Sequence, residues 1–176
     1  RLMAYSTVSQ LGLIVAAVGV VPAFALGAAV VHTITHALFK SGLFMVVGVI
    51  DRATGTRDVR RLPHLARAMP AMFVVTVLGA ASMAGVPPML GFISKEGLLG
   101  AMRQAPGPIF NGWIAFAVMT ISAVVTFTYT AKIVTGGYID GDSDREVMPV
   151  SLGLRISSAA PIVLGLPLAL AAGLLD

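Results

Sequence analysis

The chain alternates long apolar runs with short polar interruptions. Apolar runs cover residues 2–20, 23–50, 70–102, 109–134 and 150–175. Each is close to or longer than the ~20 residues that carry a helix across a bilayer. The pattern therefore predicts an all-α polytopic membrane protein with about five transmembrane helices. The first run is polar in its first half, at Tyr5, Ser6, Thr7, Ser9 and Gln10, and apolar from residue 11 onward. Residues 19–22 form a short connection. The second run, at about 1.5 Å per residue, exceeds the ~30 Å hydrocarbon core and must tilt or project; it ends at Asp51-Arg52. Residues 51–69 form the main polar loop. The third run contains Pro87-Pro88, and each proline deletes a backbone donor and clashes with the preceding turn. Its halves are short for separate spans, so one span broken at Pro87-Pro88 is expected. Phe110 and Trp113 place aromatics at the start of the fourth run, where a membrane–water interface favours them. Residues 135–150 form an acidic loop. Gly165, Ala169 and Gly173 in the last run have the small-xxx-small spacing that permits close helix packing in lipid.

Composition sharpens this picture. Hydrophobic residues make up 57% of the 176 positions and charged residues 11%, against about 25% charged in a soluble domain. A water-soluble globule and a disordered chain are both excluded. The absence of cysteine excludes a disulfide scaffold or a cysteine-ligated metal module. The net charge of +4 does not indicate nucleic acid, because that needs a basic water-facing stripe. Lipid is the expected solvent. The chain begins Arg1-Leu2-Met3 and nothing in it reads as a signal peptide, so a piece of a longer multi-pass cell-membrane protein is expected. Lys/Arg bias places loop 51–69 in the cytoplasm, together with Arg1, Arg145 and Arg155, and leaves only Arg103 outside. Counting the third run as two spans gives a worse distribution.

Sorting the basic residues by position exposes candidate chemistry. All nine arginines fall in loops or near span ends, whereas Lys40, Lys95 and Lys132 fall inside apolar runs. A charged side chain at mid-bilayer costs about 2.5–3.5 kcal/mol even on the lenient insertion scale. Lysine, unlike arginine, can give up its proton when buried. His32, His36 and Lys40 recur at every fourth residue, which forms one drifting stripe on a helix. Imidazoles titrate near neutral pH, so the stripe, bridged by water or by Thr33 and Thr35 hydroxyls, could pass protons along the helix. The plainer reading is helix–helix glue through hydrogen bonds. A metal on the His32/His36 pair lacks a third ligand nearby, so no metal site is expected.

The second constellation surrounds the break, Gly85-Val86-Pro87-Pro88-Met89-Leu90-Gly91-Phe92-Ile93-Ser94-Lys95-Glu96. Broken helices at membrane depth line cavities or are buried in protein and mark ion sites in transporters. Lys95, with Ser94 and Glu96 beside it, reads as a proton-exchange group, or as a charge that Glu96 neutralises near an interface. Lys132 lies near the end of its run and could snorkel to the headgroups. Ser6, Ser9 and Gln10 read as polar lining or interhelical hydrogen bonds. His64 and the acidic residues 140–146 read as solvated loop groups.

At these residues the chain resembles a known family. Ala4-Tyr5-Ser6-Thr7-Val8-Ser9-Gln10-Leu11-Gly12, the His32/His36/Lys40 stripe and Gly91-Phe92-Ile93-Ser94-Lys95-Glu96 resemble the antiporter-like membrane subunits. These include the large subunits of Mrp-type multisubunit monovalent cation/proton antiporters and the proton-pumping membrane subunits of respiratory complex I. The likeness extends over about residues 1–135. Asp51-Arg52-Ala53-Thr54-Gly55-Thr56-Arg57-Asp58 looks like the branch of the large Mrp subunits.

The resemblance implies an inverted-repeat fold, with residues 1–135 forming part of the second repeat and residues 136–176 an acidic loop plus one further transmembrane helix. It implies proton transfer along His32, His36, Lys40 and Lys95, with Ser6, Ser9, Gln10, Thr33, Thr35, Ser94, Glu96 and Lys132 as possible pathway lining. It implies a transporter subunit rather than an enzyme, without cofactor, exchanging protons for a monovalent cation such as Na⁺ beside other subunits of a membrane complex. The alternative is a proton-pumping subunit of a complex I-like NADH:quinone oxidoreductase or membrane hydrogenase.

Overall fold

A computed structural model of the chain describes residues 2–19, 23–104, 112–141 and 146–173. The described residues form seven α-helices: α1 (Leu2–Val18), α2 (Ala23–Thr54), α3 (Leu65–Ala68), α4 (Pro70–Ala84), α5 (Leu90–Arg103), α6 (Gly112–Val134) and α7 (Leu152–Gly173). A 3-10 turn at Val59–Arg61 and a π-helical turn at Thr135–Ile139 complete the set. The stretches Phe24–Arg61, Gly112–Ile139 and Leu152–Ala172 are each long and apolar enough to span a bilayer, and α1 and α4 are shorter apolar helices.

Helix α2 is the axis of the bundle, and its partners lie in order along it. Near its start, Ala25, Ala28 and Ala29 pack with Leu98, Ala101 and Met102 of α5. At mid-length, Phe39 and Leu43 meet Met83 at the end of α4 and Ile162 of α7. Near its end, Val46, Val49, Ile50 and Ala53 meet Met69 and Met72 at the start of α4. Residue numbers fall along α4–α5 as they rise along α2. The two short helices therefore form one broken span antiparallel to α2, as the proline pair predicts. The break follows from local chemistry. Gly85 caps α4 in the left-handed region at φ 82°, its N–H reaching the carbonyls of Ala81 and Ser82. Gly91 opens α5 where any Cβ would collide with the Ser82 carbonyl. Only glycine fits a conformation of the first kind cheaply, and only glycine fits so close a backbone approach.

Two boundaries differ from the sequence expectation. α2 continues through Asp51-Arg52 to Thr54, because exposed charges do not stop a helix. It stops at Gly55, which takes φ 68° and donates its N–H to the Asp51 carbonyl at 2.8 Å. The start of the expected loop 135–150 is instead a π turn continuing α6, closed by Asp140 N–H to Thr135 O at 2.8 Å. It buries Tyr138, whose hydroxyl is hydrogen-bonded to Thr76 Oγ1 at 2.8 Å. Residues 20–22, Phe110 and residues 142–145 lie outside the described residues. Trp113 is exposed, with the Arg103 guanidinium 5.0 Å from its ring centroid.

On α7 the small-residue stripe is buried at Ala169 but not closely approached at Gly165. A Cβ on Gly165 would meet nothing within 4 Å. A close approach is also made by Ile162, which is buried against Gly42 of α2 and Gly79 of α4. The glycines are on the receiving helices. The outward faces of α6 and α7 expose Val118, Ile121, Val124, Leu164 and Leu170, the apolar coat that a lipid-facing surface requires.

Candidate functional site

Between the apolar layers at the start and middle of α2 lies a buried polar layer. His32, Thr35, His36 and Lys40 of α2 are all buried, and so are Ser6 and Gln10 of α1, Ser94 and Lys95 of α5 and Thr126 of α6. The sequence places His32, His36 and Lys40 on one helical stripe. The fold adds polar groups from three other helices to it.

His32 is held at both ring nitrogens. Nδ1 is 3.0 Å from Ser94 Oγ, and Nε2 is 3.0 Å from Gln10 Oε1. The Gln10 amide in turn donates Nε2–H to Thr126 Oγ1 at 3.3 Å. His32 and His36 have ring centroids 6.4 Å apart, and Phe39 meets the His36 ring edge-on at 5.2 Å. His36 Nδ1 is buried with no hydrogen-bond partner among the described residues. An orphaned buried polar atom costs about 1–3 kcal/mol; such atoms are uncommon enough in native structures to require a reason.

The two lysines find dipoles rather than carboxylates. Lys40 Nζ donates to the Met3 carbonyl at 3.0 Å and to Ser6 Oγ, while Ser6 Oγ donates to the same carbonyl at 2.9 Å. Phe44 adds its ring, with the centroid 5.5 Å from Nζ. Lys95 Nζ donates to the carbonyls of Met83 at 2.6 Å and Ala84 at 3.2 Å. Those are the last carbonyls of α4, which lack partners within their own helix and form its negative end. Lys95 thus ties the second half of the broken span back to the first. The pairing of Lys95 with Glu96 does not form: Glu96 is exposed, and the ion pairs among the described residues are Arg57–Asp51 at 2.8 Å and Arg61–Asp58 at 3.8 Å.

The other sequence candidates divide clearly. Ser6, Gln10 and Ser94 join the network. Thr35 is buried but donates to its own helix, at Val31 O, 2.8 Å. Thr33 is exposed and donates to Ala29 O at 2.7 Å. Ser9 is half-buried, and Lys132 is exposed on α6. His64 lies away from the layer, with Nδ1 3.2 Å from the Tyr138 carbonyl. Thr126 was missed by the sequence reading. Its signal is the same fourfold spacing that marks α2, since Ser122, Thr126 and Thr130 recur at i, i+4 and i+8.

Residues 1–127 match the family described as NADH:quinone oxidoreductase/Mrp antiporter, transmembrane. The chain is 41% identical to the A-type subunit of the Na⁺/H⁺ antiporter of Alkalihalophilus pseudofirmus, over 93% of this chain and 23% of that protein. It is 37% identical to the A1-type subunit of the Na⁺/H⁺ antiporter of Staphylococcus aureus, over 99% of this chain and 24% of that protein. The chain therefore spans about a quarter of the length of these curated relatives. Its fold matches a chain of the Mrp complex from Dietzia sp. DQ12-45-1b with TM-score 0.83 and 44% identity, covering 99% of this chain and 19% of that one. It also matches a chain of the membrane-bound sulfane sulfur reductase, an archaeal respiratory membrane complex, with TM-score 0.77 and 31% identity, covering 92% and 26%.

Proposed function

Because the chain belongs to the NADH:quinone oxidoreductase/Mrp antiporter transmembrane family, we propose that it is a proton-translocating part of the large, A-type subunit in a multisubunit Na⁺/H⁺ antiporter. It is a secondary-transport module, not an enzyme, and works beside other subunits of a membrane complex. Residues 1–135 form part of the second antiporter-like repeat. Residues 136–176 add an acidic loop and one further span. Protons pass along His32, His36, Lys40 and Lys95 by hydration-gated transfer, coupled electrostatically to counter-movement of a monovalent cation, Na⁺ by likeness to the named relatives. Ser6, Gln10 and Ser94 line the path. Loop 51–69 faces the cytoplasm, where the arginine bias puts it.

One observation carries this reading. Four protonatable side chains share a buried polar layer flanked by apolar ones, at a cost that lipid makes high. Gluing helices together would need none of them to be ionisable.

The test is cation/proton exchange in vesicles containing the whole complex, with Lys40→Ala or Lys95→Ala. Exchange is expected to fall about a hundredfold or more, from the low end of what a positioned proton-transfer group contributes, about 10²–10⁴. Normal exchange by assembled variants would remove the lysines from the path. The sidedness is checked separately with a single cysteine at exposed Arg60, introduced into a complex from which any other cysteines have been removed. Labelling by an impermeant thiol reagent from outside intact cells would reverse the topology.

The sulfane sulfur reductase likeness supports a second reading, a proton-pumping subunit of a redox-driven complex. Co-purification with iron–sulfur and quinone-reactive subunits would establish it.

A further inference from the structure

We infer that Gln10 and Thr126 are positioning residues that fix the tautomer of His32, so that its exchangeable proton is loaded and unloaded at Nδ1, on the side of Ser94 and the broken helix. This rests on the relay role proposed above for His32.

The assignment follows from counting hydrogens. A threonine hydroxyl has one hydrogen, and that of Thr126 goes to the Ser122 carbonyl at 2.8 Å. Thr126 Oγ1 can therefore offer Gln10 only a lone pair, so the amide group facing it, at 3.3 Å, is the NH₂. That orientation turns Gln10 Oε1 toward His32 Nε2. An amide oxygen only accepts, so Nε2 must carry a hydrogen. In the neutral imidazole the other nitrogen is then bare. Nδ1 accepts the hydrogen of Ser94 Oγ at 3.0 Å.

Ser94 has a second acceptor, the Gly91 carbonyl at 3.2 Å, and this makes the site reversible. Loading is a relay through the hydroxyl: as the Ser94 hydrogen passes to Nδ1, Ser94 Oγ takes a proton from a water, and the hydrogen so gained points to Gly91 O. The imidazolium then donates to Ser94 Oγ and to Gln10 Oε1 together. Unloading reverses both transfers: Nδ1 returns its hydrogen to Ser94 Oγ as the hydrogen facing Gly91 O leaves to the water. The histidine changes charge by one with no heavy atom displaced, while Nε2–H stays as an anchor. Four helices cooperate: α6 orients an amide on α1, which orients a ring on α2, which faces a hydroxyl on α5.

The test uses the whole complex containing this chain, labelled with ¹⁵N-histidine. Solid-state NMR distinguishes protonated from bare ring nitrogens, and His32 is assigned by difference against His32→Ala. In the wild type, neutral His32 is expected as the Nε2–H form. Gln10→Leu is expected to yield mixed tautomers and to lower exchange about tenfold in assembled complex. That is milder than the ~10⁴ lost when a catalytic histidine takes the wrong tautomer, because Nδ1 stays accessible part of the time. Thr126→Val frees the amide to turn and is expected to lower exchange two- to fivefold, and Thr126→Ser is expected to restore both readouts. A wild-type Nδ1–H form, an unchanged tautomer in Gln10→Leu, or normal exchange by that variant overturns the assignment. Normal exchange by assembled His32→Ala overturns the relay role on which the inference depends, even where the tautomer is as stated.

Discussion

Ile162 offers a sharp test of how α7 is joined to the rest of the bundle. Its side chain fills a socket floored by two glycines. A methyl on Gly79 would lie 2.8 Å from Ile162 Cδ1 and 3.0 Å from Leu43 Cδ2. A methyl on Gly42 would collide with Ile162 Cγ1 and lie 3.0 Å from the Ser158 carbonyl. In a soluble core, Ile→Ala costs about 2–5 kcal/mol as transfer plus cavity terms. Here the alternative environment is lipid, which is as apolar as the socket, so most of the transfer part, about 0.8 kcal/mol per methylene, drops out. Roughly 1–2 kcal/mol of lost packing remains for Ile162→Ala. Gly79→Ala alone is overpacked by about 1–3 kcal/mol. Combined, the two should cost less than their sum, because the removed Cδ1 vacates the space that the new methyl needs, and Leu43 has only a few tenths of an ångström to give. The coupling should be about 1–2 kcal/mol, within the range for residues in contact. Gly42→Ala should be rescued less well, since the Ser158 carbonyl stays where it is. Thermal dissociation midpoints of the purified complex give the ordering. Gly79→Ala/Ile162→Ala should melt at or above Gly79→Ala, while Gly42→Ala/Ile162→Ala should recover less. Additive losses in the first double variant would refute this account of the socket.

Two further substitutions probe other points of the fold. Gly91→Ala should prevent assembly, because its methyl would overlap the Ser82 backbone at the helix break, whereas Gly165→Ala, with nothing within 4 Å, should leave complex yield on native gels unchanged; equal yields would contradict the close approach at the break. Tyr138→Phe removes the hydroxyl bonded to Thr76 and should lower the dissociation midpoint by the equivalent of ~1 kcal/mol without changing exchange per assembled complex. A large loss of exchange would place Tyr138 in the transport path.

The transmembrane pattern, the broken span and the His32/His36/Lys40 stripe were legible because each is a local signal: run length, a proline pair, a spacing of four. What was not legible depends on contact across the fold. Gln10 and Ser9 are equally polar in the sequence, yet one is clamped between His32 and Thr126 and the other is half-buried. Glu96 adjoins Lys95 and suggested a pair, but neighbours on a helix point about 100° apart and do not face each other. Lys95 turns inward to the end of α4 and Glu96 outward. The stripe of Gly165, Ala169 and Gly173 shows where a helix could approach closely. Whether one does depends on the partner, and α2 and α4 meet α7 at Ile162. Charge at Asp51-Arg52 suggested a helix end that backbone geometry delays to Gly55.

The partners of Lys40 and Lys95 bear on how such a layer could couple ions. The acidic residues described are Asp51, Asp58, Glu96, Asp140 and Glu146, each exposed or half-buried, and none of them is bonded to either lysine. A lysine paired with a carboxylate is part of a neutral unit that attracts a distant ion weakly. A lysine held by carbonyls and a hydroxyl presents its whole charge to its surroundings, and at low effective dielectric that charge acts over long distances. On the proposed relay role, each proton gained or lost changes the charge of the layer by one unit with no adjoining carboxylate to damp its field. The same carbonyl contacts give each ammonium a defined position without cancelling its charge. Lys95 in particular sits on the negative end of α4, so a change in its charge alters the bond that joins the two halves of the broken span. For the proposed exchange of protons for cations, this is the point where the arrangement of charge and the shape of the helix are most directly linked.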